Sequence, residues 1–462
     1  MNRVSLTRAL RSVRPAGICK QNRLCSVSRN VSTALRPLVI DAPPRFRRGR
    51  ILPSQLPRWN SSTTDIPKEG VSGKSVLLPV SENTNVEFGE LWLRDNCRCP
   101  KCIHGDTSQR IVDIFSIPEN IGVVDIVTGP HGVDLKWSDG HLSTYHYEWL
   151  SQHHKKEALP SNKSTPYIRN FLTHKPENDV YPTVSYSDVM SEDKGVLNWL
   201  QHIYDWGFCF VKDTPVNPES TEALLKRIAY IRHTHYGGFW DFTADLTFKD
   251  TAYTTEFLGA HTDNTYFTDP ARLQLFHLLS HTDGEGGASL LVDGFQAAKT
   301  LIEENQEHAR TLRYINHPFH ASGNEDICIQ PAEQFPVFKT HPQFKNQLYQ
   351  IRWNNYDRAV KWDWRVDEQE AWYKAARHFN EIIQRPNMEI WTQLEPGTAL
   401  IFDNWRMFHG RSEYVGKRRM CGGYINNDDF ISRYRMLKFG RKKLIDSLGV
   451  IENTESNPNS YI

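Results

Sequence analysis

The feature that most limits the fold is the rhythm of the chain beyond residue 183. Short strand-like stretches recur there, and helices flank them without alternating one for one. Residues 196–206 and 221–231 have amphipathic helical spacing, with a strand-like stretch at 207–212 between them. Residues 272–279 alternate and end in a turn, 289–293 are apolar, and 295–305 and 368–384 read as helices. Strand-like text resumes at 347–353, 398–403 and 420–425. Many short strands with flanking helices predict a β-sandwich or jelly roll with helices packed outside. Residues 75–150 are also strand-like, with turns at Gly129-Pro130 and Asp139-Gly140, and predict a small β-rich domain. There is no internal repeat and no GxxxxGK[ST] or GxGxxG phosphate loop.

Composition narrows the classes. The 462 residues are 39% hydrophobic and 24% charged, as in a globular protein. No uninterrupted apolar run approaches the roughly 18 residues of a membrane-spanning helix. The net charge of +1 gives no whole-chain case for nucleic acid or a membrane surface. That charge is uneven. Residues 1–60 hold Lys20, Asp41 and an arginine series from Arg3 to Arg58, with Leu6, Leu10 and Val13 at helical steps. An Arg- and Ser-rich, acid-poor beginning is the pattern of a mitochondrial transit peptide and predicts the mitochondrial matrix. A basic disordered tail is the plain alternative. The expected organisation is a transit peptide and linker over 1–65, a small N-terminal domain over 75–155, a catalytic domain over 180–445 and a polar tail over 446–462.

The segment RDNCRCPKC brings Cys97, Cys99 and Cys102 together. Three thiols this close suit one Zn²⁺, which takes four tetrahedral sulfur or nitrogen ligands. His104 is adjacent but would close a very tight loop. His141, after the Asp139-Gly140 turn, can arrive from a separate strand and is the preferred fourth ligand. A Cys3His site is closed and therefore structural. Reduced, ligand-free thiols are the plain alternative.

A non-haem Fe(II) oxygenase needs two histidines and one carboxylate on one side of the metal. Its sequence form is His-x-Asp at a strand or strand end, followed by a distant His. With 19 His and 54 acids in 462 residues, roughly two His-x-acid pairs arise by chance. The chain has His104/Asp106, His146/Glu148, His261/Asp263 and His281/Asp283. Context favours His261/Asp263, which lies amid aromatic residues in DTAYTTEFLGAHTDNTYF. His281/Asp283 runs into the turn GEGG, and the other two sit in the small domain. His409, in LIFDNWRMFHGRSEY, is placed at a bend after an apolar strand and stands out as third ligand. Arg418 follows and can grip a carboxylate with two parallel hydrogen bonds. Surface or hydrogen-bonded core histidines remain the plain alternative.

Four longer stretches carry a resemblance: YGGFWDFTADLTFKDTAYTTEFLGAHTDNTYF, GGASLLVDGF, IRWNNYDRAV and LIFDNWRMFHGRSEYVGKRRMCGGY. Together they resemble the gamma-butyrobetaine and trimethyllysine dioxygenases, within the taurine-dioxygenase-like 2-oxoglutarate oxygenases. The Cys-x-Cys-x-x-Cys module resembles that family's zinc-binding N-terminal domain. The resemblance implies a double-stranded β-helix holding Fe(II) through His261, Asp263 and His409. It implies that Arg418, and not its neighbour Arg419, pairs with the distal carboxylate of 2-oxoglutarate. Ser289 matches a small hydroxyl residue beside the cosubstrate, although Ala288 stands where relatives often carry an acid. Ascorbate as reductant, a homodimer and structural zinc on Cys97, Cys99, Cys102 and His141 are also implied.

A quaternary ammonium has no N–H to donate, so aromatic faces recognise it, each contributing about 0.5–2 kcal/mol. Tyr236, Trp240, Tyr253 and Tyr424 match the family's aromatic cage. Tyr236 and Trp240 would share one face of a helix if a helix formed there. At the substrate's other end, Asp250 would favour an α-ammonium, and Asn354 would assist at the carboxylate. Relatives acting on butyrobetaine tend to carry a neutral amide in place of Asp250, so the resemblance points to the trimethyllysine branch. Three alternatives remain open: hydroxylation of butyrobetaine, a non-catalytic reader of methylated lysine that needs no iron, and a zinc hydrolase using His261 and His409 that needs no 2-oxoglutarate.

Overall fold

The computed structural model describes residues 74–81, 83–154, 181–243, 254–342 and 347–449. The arginine-rich segment, residues 450–462 of the polar tail, Asp250 and Tyr253 lie outside the described residues. In the N-terminal part, β1 (Ser75–Ser81) and β2 (Thr84–Gly89) form a hairpin that runs into α1 (Glu90–Asp95). An antiparallel sheet follows, built from β3 (Val123–Thr128), β4 (Gly132–Trp137) and β5 (Leu142–His146), and α2 (Tyr147–His153) closes the module. Strand β4 alternates, so Val133, Leu135 and Trp137 face a core shared with Leu78, Leu93 and Leu150.

The second part starts with β6 (Thr183–Ser185), α3 (Tyr186–Ser191), α4 (Asp193–Trp206), β7 (Phe208–Lys212) and α5 (Pro218–Lys226). It continues through β8 (Trp240–Thr243), β9 (Leu258–His261), β10 (Leu273–Thr282) and β11 (Ser289–Asp293). Helices α6 (Gly294–Glu304) and α7 (Gln306–Tyr314), the pair β12 (Phe338–Thr340) and β13 (Leu348–Ile351), and α8 (Val366–Ile383) come next. The described residues end with β14 (Glu389–Thr392), β15 (Ala399–Asp403), β16 (Met407–Arg411), β17 (Lys417–Ile425), α9 (Asn427–Phe439) and α10 (Arg441–Asp446).

Two sheets face each other. The larger has the order β6-β7-β15-β10-β17-β8 and the smaller β14-β11-β16-β9. All neighbours are antiparallel except β6 and β7. This is the double-stranded β-helix that the strand rhythm and the family resemblance predict. Central strands such as β15 and β11 are buried on both faces, which is why they read as apolar runs. In β15, Leu400 and Phe402 join Leu291 between the sheets, while Ala399 and Ile401 meet α4, α5 and α9 outside. In β11, Leu290 and Val292 face α6, α7 and α8. Each buried Leu or Phe contributes roughly 1.5–3 kcal/mol.

The sequence periodicity misjudges some boundaries. Helix α5 begins at Pro218, where Asn217 caps the Ser220 N–H, and it ends at Lys226, ahead of the predicted 231. Ile231 instead bridges Ile425 of β17, so sheet pairing overrides the helical spacing. The bend predicted before His409 is a tight turn between two strands, and His409 lies within β16.

Candidate active site and metal centres

The register of the smaller sheet brings the two distant histidines together. His409 in β16 is the direct cross-strand partner of His261 at the end of β9, and their ring centroids are 4.3 Å apart. Directly opposed residues on antiparallel strands project to the same face, so pairing alone makes them converge. Asp263 lies two residues past the strand and needs separate support. Asn404 provides it: its Oδ1 accepts the Asp263 N–H at 2.8 Å, and its Nδ2 donates to the carbonyls of Asp263 and Ala271 at 3.0 Å each. Asn404 is itself fixed by the tight turn, where buried Asp403 takes a two-pronged pair from Arg272 at 2.7 and 2.8 Å.

The carboxylate is aimed by its other contacts. Asp263 Oδ2 accepts from Gln274 Nε2 at 2.7 Å and from the Tyr424 hydroxyl at 2.8 Å. Oδ1 then faces His261 Nε2 at 3.3 Å and His409 Nε2 at 3.6 Å. Octahedral bonds of roughly 2.1 Å at right angles would set neighbouring ligand atoms roughly 3 Å apart, so the three atoms fit one face of an iron ion. His261 Nδ1 lies 2.8 Å from the Gly259 carbonyl, which leaves Nε2 as the nitrogen that could face a metal. Burial, then the neighbouring His261, push the His409 imidazole down to about 3 against the pull of Asp263. Burial opposes ionisation of Asp263, yet His409, His261 and Tyr424 hold its carboxyl well below the usual carboxylate range. Burial also opposes a charge on His261, but Asp263 outweighs it and raises that imidazole's pKa. A bound cation displaces the proton this favours.

One cavity joins this metal face to the other predicted residues. Tyr236, Trp240, His261, Asp263, Ser289, Asn354, His409, Arg418 and Tyr424 all line it. The helix that would have paired Tyr236 with Trp240 does not form. Tyr236 sits in a turn closed between Thr234 and Gly237, and Trp240 opens β8. Both still reach the cavity, because Trp240 packs across β17 at 6.3 Å from the Tyr424 ring. Gly422 permits this, since a Cβ there would come within 2.4 Å of the indole.

Arg418 and Arg419 point to opposite faces of β17. Arg419 pairs with Asp241 on the outside, its Nε 2.8 Å from the carboxylate. Arg418 is only 5% exposed, and its Nε has no hydrogen-bond partner. Burial, then nearby Arg411, lower its pKa to about 10 against the opposing effect of Tyr414, so it remains cationic at neutral pH. A buried guanidinium with an orphaned N–H is the chemistry of a carboxylate-binding site. Ser289 opens β11 and pairs with Arg411.

Sequence reasoning missed Gln274, Asn404, Arg411, Tyr266 and Asp357. Gln274 carries a signal, a polar residue amid the apolar run of β10. The others sit in turns or beside ordinary partners and carry none. Tyr424 makes a contact beyond the expected aromatic face, because its hydroxyl braces Asp263. Tyr424→Phe keeps the aromatic face and removes that bond. Metal affinity is expected to fall about tenfold, within the range for loss of a ligand's supporting contact. Anaerobic Mn(II) titration checks it, and an unchanged affinity would remove the hydroxyl from metal positioning.

The N-terminal module gathers a second set. His141 Nε2 lies 3.3 Å from Cys97 Sγ and 3.6 Å from both Cys99 Sγ and Cys102 Sγ. A tetrahedral zinc ion with bonds of roughly 2.3 Å to sulfur and 2.0–2.1 Å to nitrogen sets such edges at roughly 3.5 Å, so the four atoms fit zinc. His104 is directed elsewhere, its Nδ1 3.3 Å from the backbone N–H groups of Asp106 and Thr107. Arg94 supports the thiol site from α1, with Nε on Asp139 at 3.0 Å and Nη1 3.5 Å from Cys102. Asp139 in turn accepts the His141 N–H at 2.9 Å. Burial, then the neighbouring Cys97, push the Cys102 thiol up to about 12. Three thiols this close cannot all ionise until a cation joins them.

Two histidines and one carboxylate facing a cavity inside a jelly roll are the arrangement of the non-haem Fe(II) oxygenases. Comparison with known proteins agrees. Residues 170–424 match the family described as Taurine catabolism dioxygenase TauD, TfdA family, and residues 71–151 match Gamma-butyrobetaine hydroxylase-like, N-terminal. The chain is 43% identical over 413 residues to a trimethyllysine dioxygenase of Neurospora crassa, covering 82% of this chain and 84% of that one. It is 36% identical over 363 residues to the mitochondrial trimethyllysine dioxygenase of Homo sapiens, covering 77% and 84%. A gamma-butyrobetaine dioxygenase of a Pseudomonas species is 30% identical over 359 residues, covering 76% and 90%. The chain belongs to the TauD/TfdA dioxygenase family, in the group of the trimethyllysine dioxygenases. Membership implies Fe(II) and 2-oxoglutarate.

Proposed function

We propose that this chain hydroxylates N6,N6,N6-trimethyl-L-lysine at C3 with O2 and 2-oxoglutarate, giving 3-hydroxy-trimethyllysine, succinate and CO2, the first step of carnitine biosynthesis. The observation that carries it is the cavity that combines a two-histidine, one-carboxylate face with the buried, unpartnered Nε of Arg418 and walls of aromatic rings. His261, Asp263 and His409 would hold Fe(II), which together with 2-oxoglutarate supplies the oxidation of an aliphatic C–H bond by O2. Arg418 binds the distal carboxylate of the cosubstrate, beside Ser289. Tyr236, Trp240 and Tyr424 receive the trimethylammonium, a role also assigned to Tyr253, while Asp250 and Asn354 are assigned to the α-amino and carboxylate end. Holding both ends fixes which carbon faces the metal, so positioning is the protein's main contribution.

The test is mass spectrometry of products from trimethyllysine and butyrobetaine with Fe(II), 2-oxoglutarate and ascorbate present. Trimethyllysine is expected to gain one oxygen in step with succinate release. Preferred oxidation of butyrobetaine would support the other branch. Binding of a trimethyllysine peptide without succinate release would support a reader.

Zinc on Cys97, Cys99, Cys102 and His141 is part of the same reading and is structural. Cys102→Ser is expected to abolish zinc retention and to lower the unfolding temperature, because zinc binding in such modules is folding free energy. Metal analysis with a thermal melt checks this; full zinc content in the variant would exclude Cys102 as a ligand. Ascorbate as reductant and a homodimer rest on the family resemblance. Vertebrate relatives named mitochondrial support placement in the matrix, as does the arginine-rich composition of residues 1–60.

A further inference from the structure

The cavity holds a second carboxylate that the reading above does not use. Among the described residues lining it, the acids are Asp263 and Asp357. Asp263 is committed to the metal face and to Gln274 and Tyr424. We propose that Asp357 is a specificity-determining carboxylate that receives the α-ammonium of the substrate. This rests on trimethyllysine being the substrate.

Asp357 is held in place from two sides. Its Oδ2 accepts from Thr265 Oγ1 at 3.0 Å and from Asn354 Nδ2 at 2.8 Å. Thr265 is fully buried, and its carbonyl accepts from Arg352 at 3.0 Å. Asn354 is oriented by the Tyr356 N–H, which donates to its Oδ1 at 2.9 Å. The Asp357 carbonyl accepts the His320 N–H at 2.8 Å. Carboxylate and amide therefore face the cavity on a rigid mount, and the charge of Asp357 acts on His261 and Tyr266.

The chemistry of the two substrate ends then separates. A trimethylammonium has no N–H and suits aromatic faces. A primary ammonium carries three donors and suits an ionised carboxylate. The amide of Asn354 retains a second N–H, which suits the α-carboxylate beside that ammonium. A substrate bearing a carboxylate without the ammonium meets Asp357 as a like charge, so one residue both attracts the zwitterionic head and disfavours the bare acid.

The experiment compares wild-type holoenzyme and Asp357→Asn on trimethyllysine and on its des-amino analogue, 6-(trimethylammonio)hexanoate. Asparagine keeps the shape and can still accept from Thr265 and Asn354. The ratio of kcat/KM for trimethyllysine to that for the analogue is expected to fall roughly ten- to a hundredfold, with the loss in KM. Thr265→Val, which removes one support and leaves the charge, should move the ratio the same way by less. A parallel fall for both substrates, or a loss of Mn(II) affinity that accounts for the change, would show a structural role and overturn the proposal. So would a shift produced by Asp250→Asn and absent in Asp357→Asn. Wild-type enzyme that forms no succinate with trimethyllysine overturns the substrate reading itself, and this inference with it.

Discussion

His261→Ala is expected to abolish succinate formation and to weaken metal binding by more than the roughly 10–100-fold that loss of a supporting contact produces. His261 and His409 are cross-strand partners, and Asp263 Oδ1 faces both imidazoles, so removing one ring opens the face that holds the ion. Anaerobic Mn(II) titration reads the binding, and succinate measured with and without trimethyllysine reads the chemistry. Near-normal values for both would take His261 out of the ligand set. The sheet should survive, because the ring contributes to a site and not to the cores that hold the two sheets. A melt that shifts little confirms that the loss is local.

Arg418→Met is expected to affect function and stability in opposite directions. In the absence of a ligand the buried guanidinium leaves Nε unsatisfied, a burden of roughly 1–3 kcal/mol. An apolar side chain of similar length removes that burden, so the protein without cosubstrate should melt at a higher temperature. The same change removes the charge that meets the distal carboxylate. Loss of one partner of such a buried pair costs about 2–5 kcal/mol, which is roughly thirtyfold or more in 2-oxoglutarate affinity. Arg418→Lys should fall between, because an ammonium keeps the charge without the planar fork. Mn(II) affinity should change little in either variant. Unaltered cosubstrate affinity in Arg418→Met would count against the assignment.

Much of this architecture was legible because burial on both faces writes itself as apolar runs. ALIFD of β15 and SLLVD of β11 are such runs, and both are central strands. β16 was not legible. Met407 faces between the sheets and Phe408 faces the outer helices, while Gly410 and Arg411 interrupt any pattern. The Tyr236–Trp240 spacing is ambiguous for a related reason. Four-residue spacing suits one helix face, but a tight turn and a strand also bring both rings to the cavity. Gln274 could have been noticed as a polar residue inside β10. Asn404 and Asp357 could not, since an amide or acid in a loop usually meets only water.

By itself the sequence determined the kind of fold and the family and singled out the candidate metal ligands, because periodicity, cysteine spacing and long ordered motifs are local properties of the chain. Only the tertiary structure decided which histidine meets which, that Arg418 turns inward while Arg419 turns out, and that Tyr424 and Asn404 brace Asp263. The reason is strand register. A shift of one residue sends every side chain to the opposite face, and register is set by contacts between segments more than a hundred residues apart, such as β9 and β16.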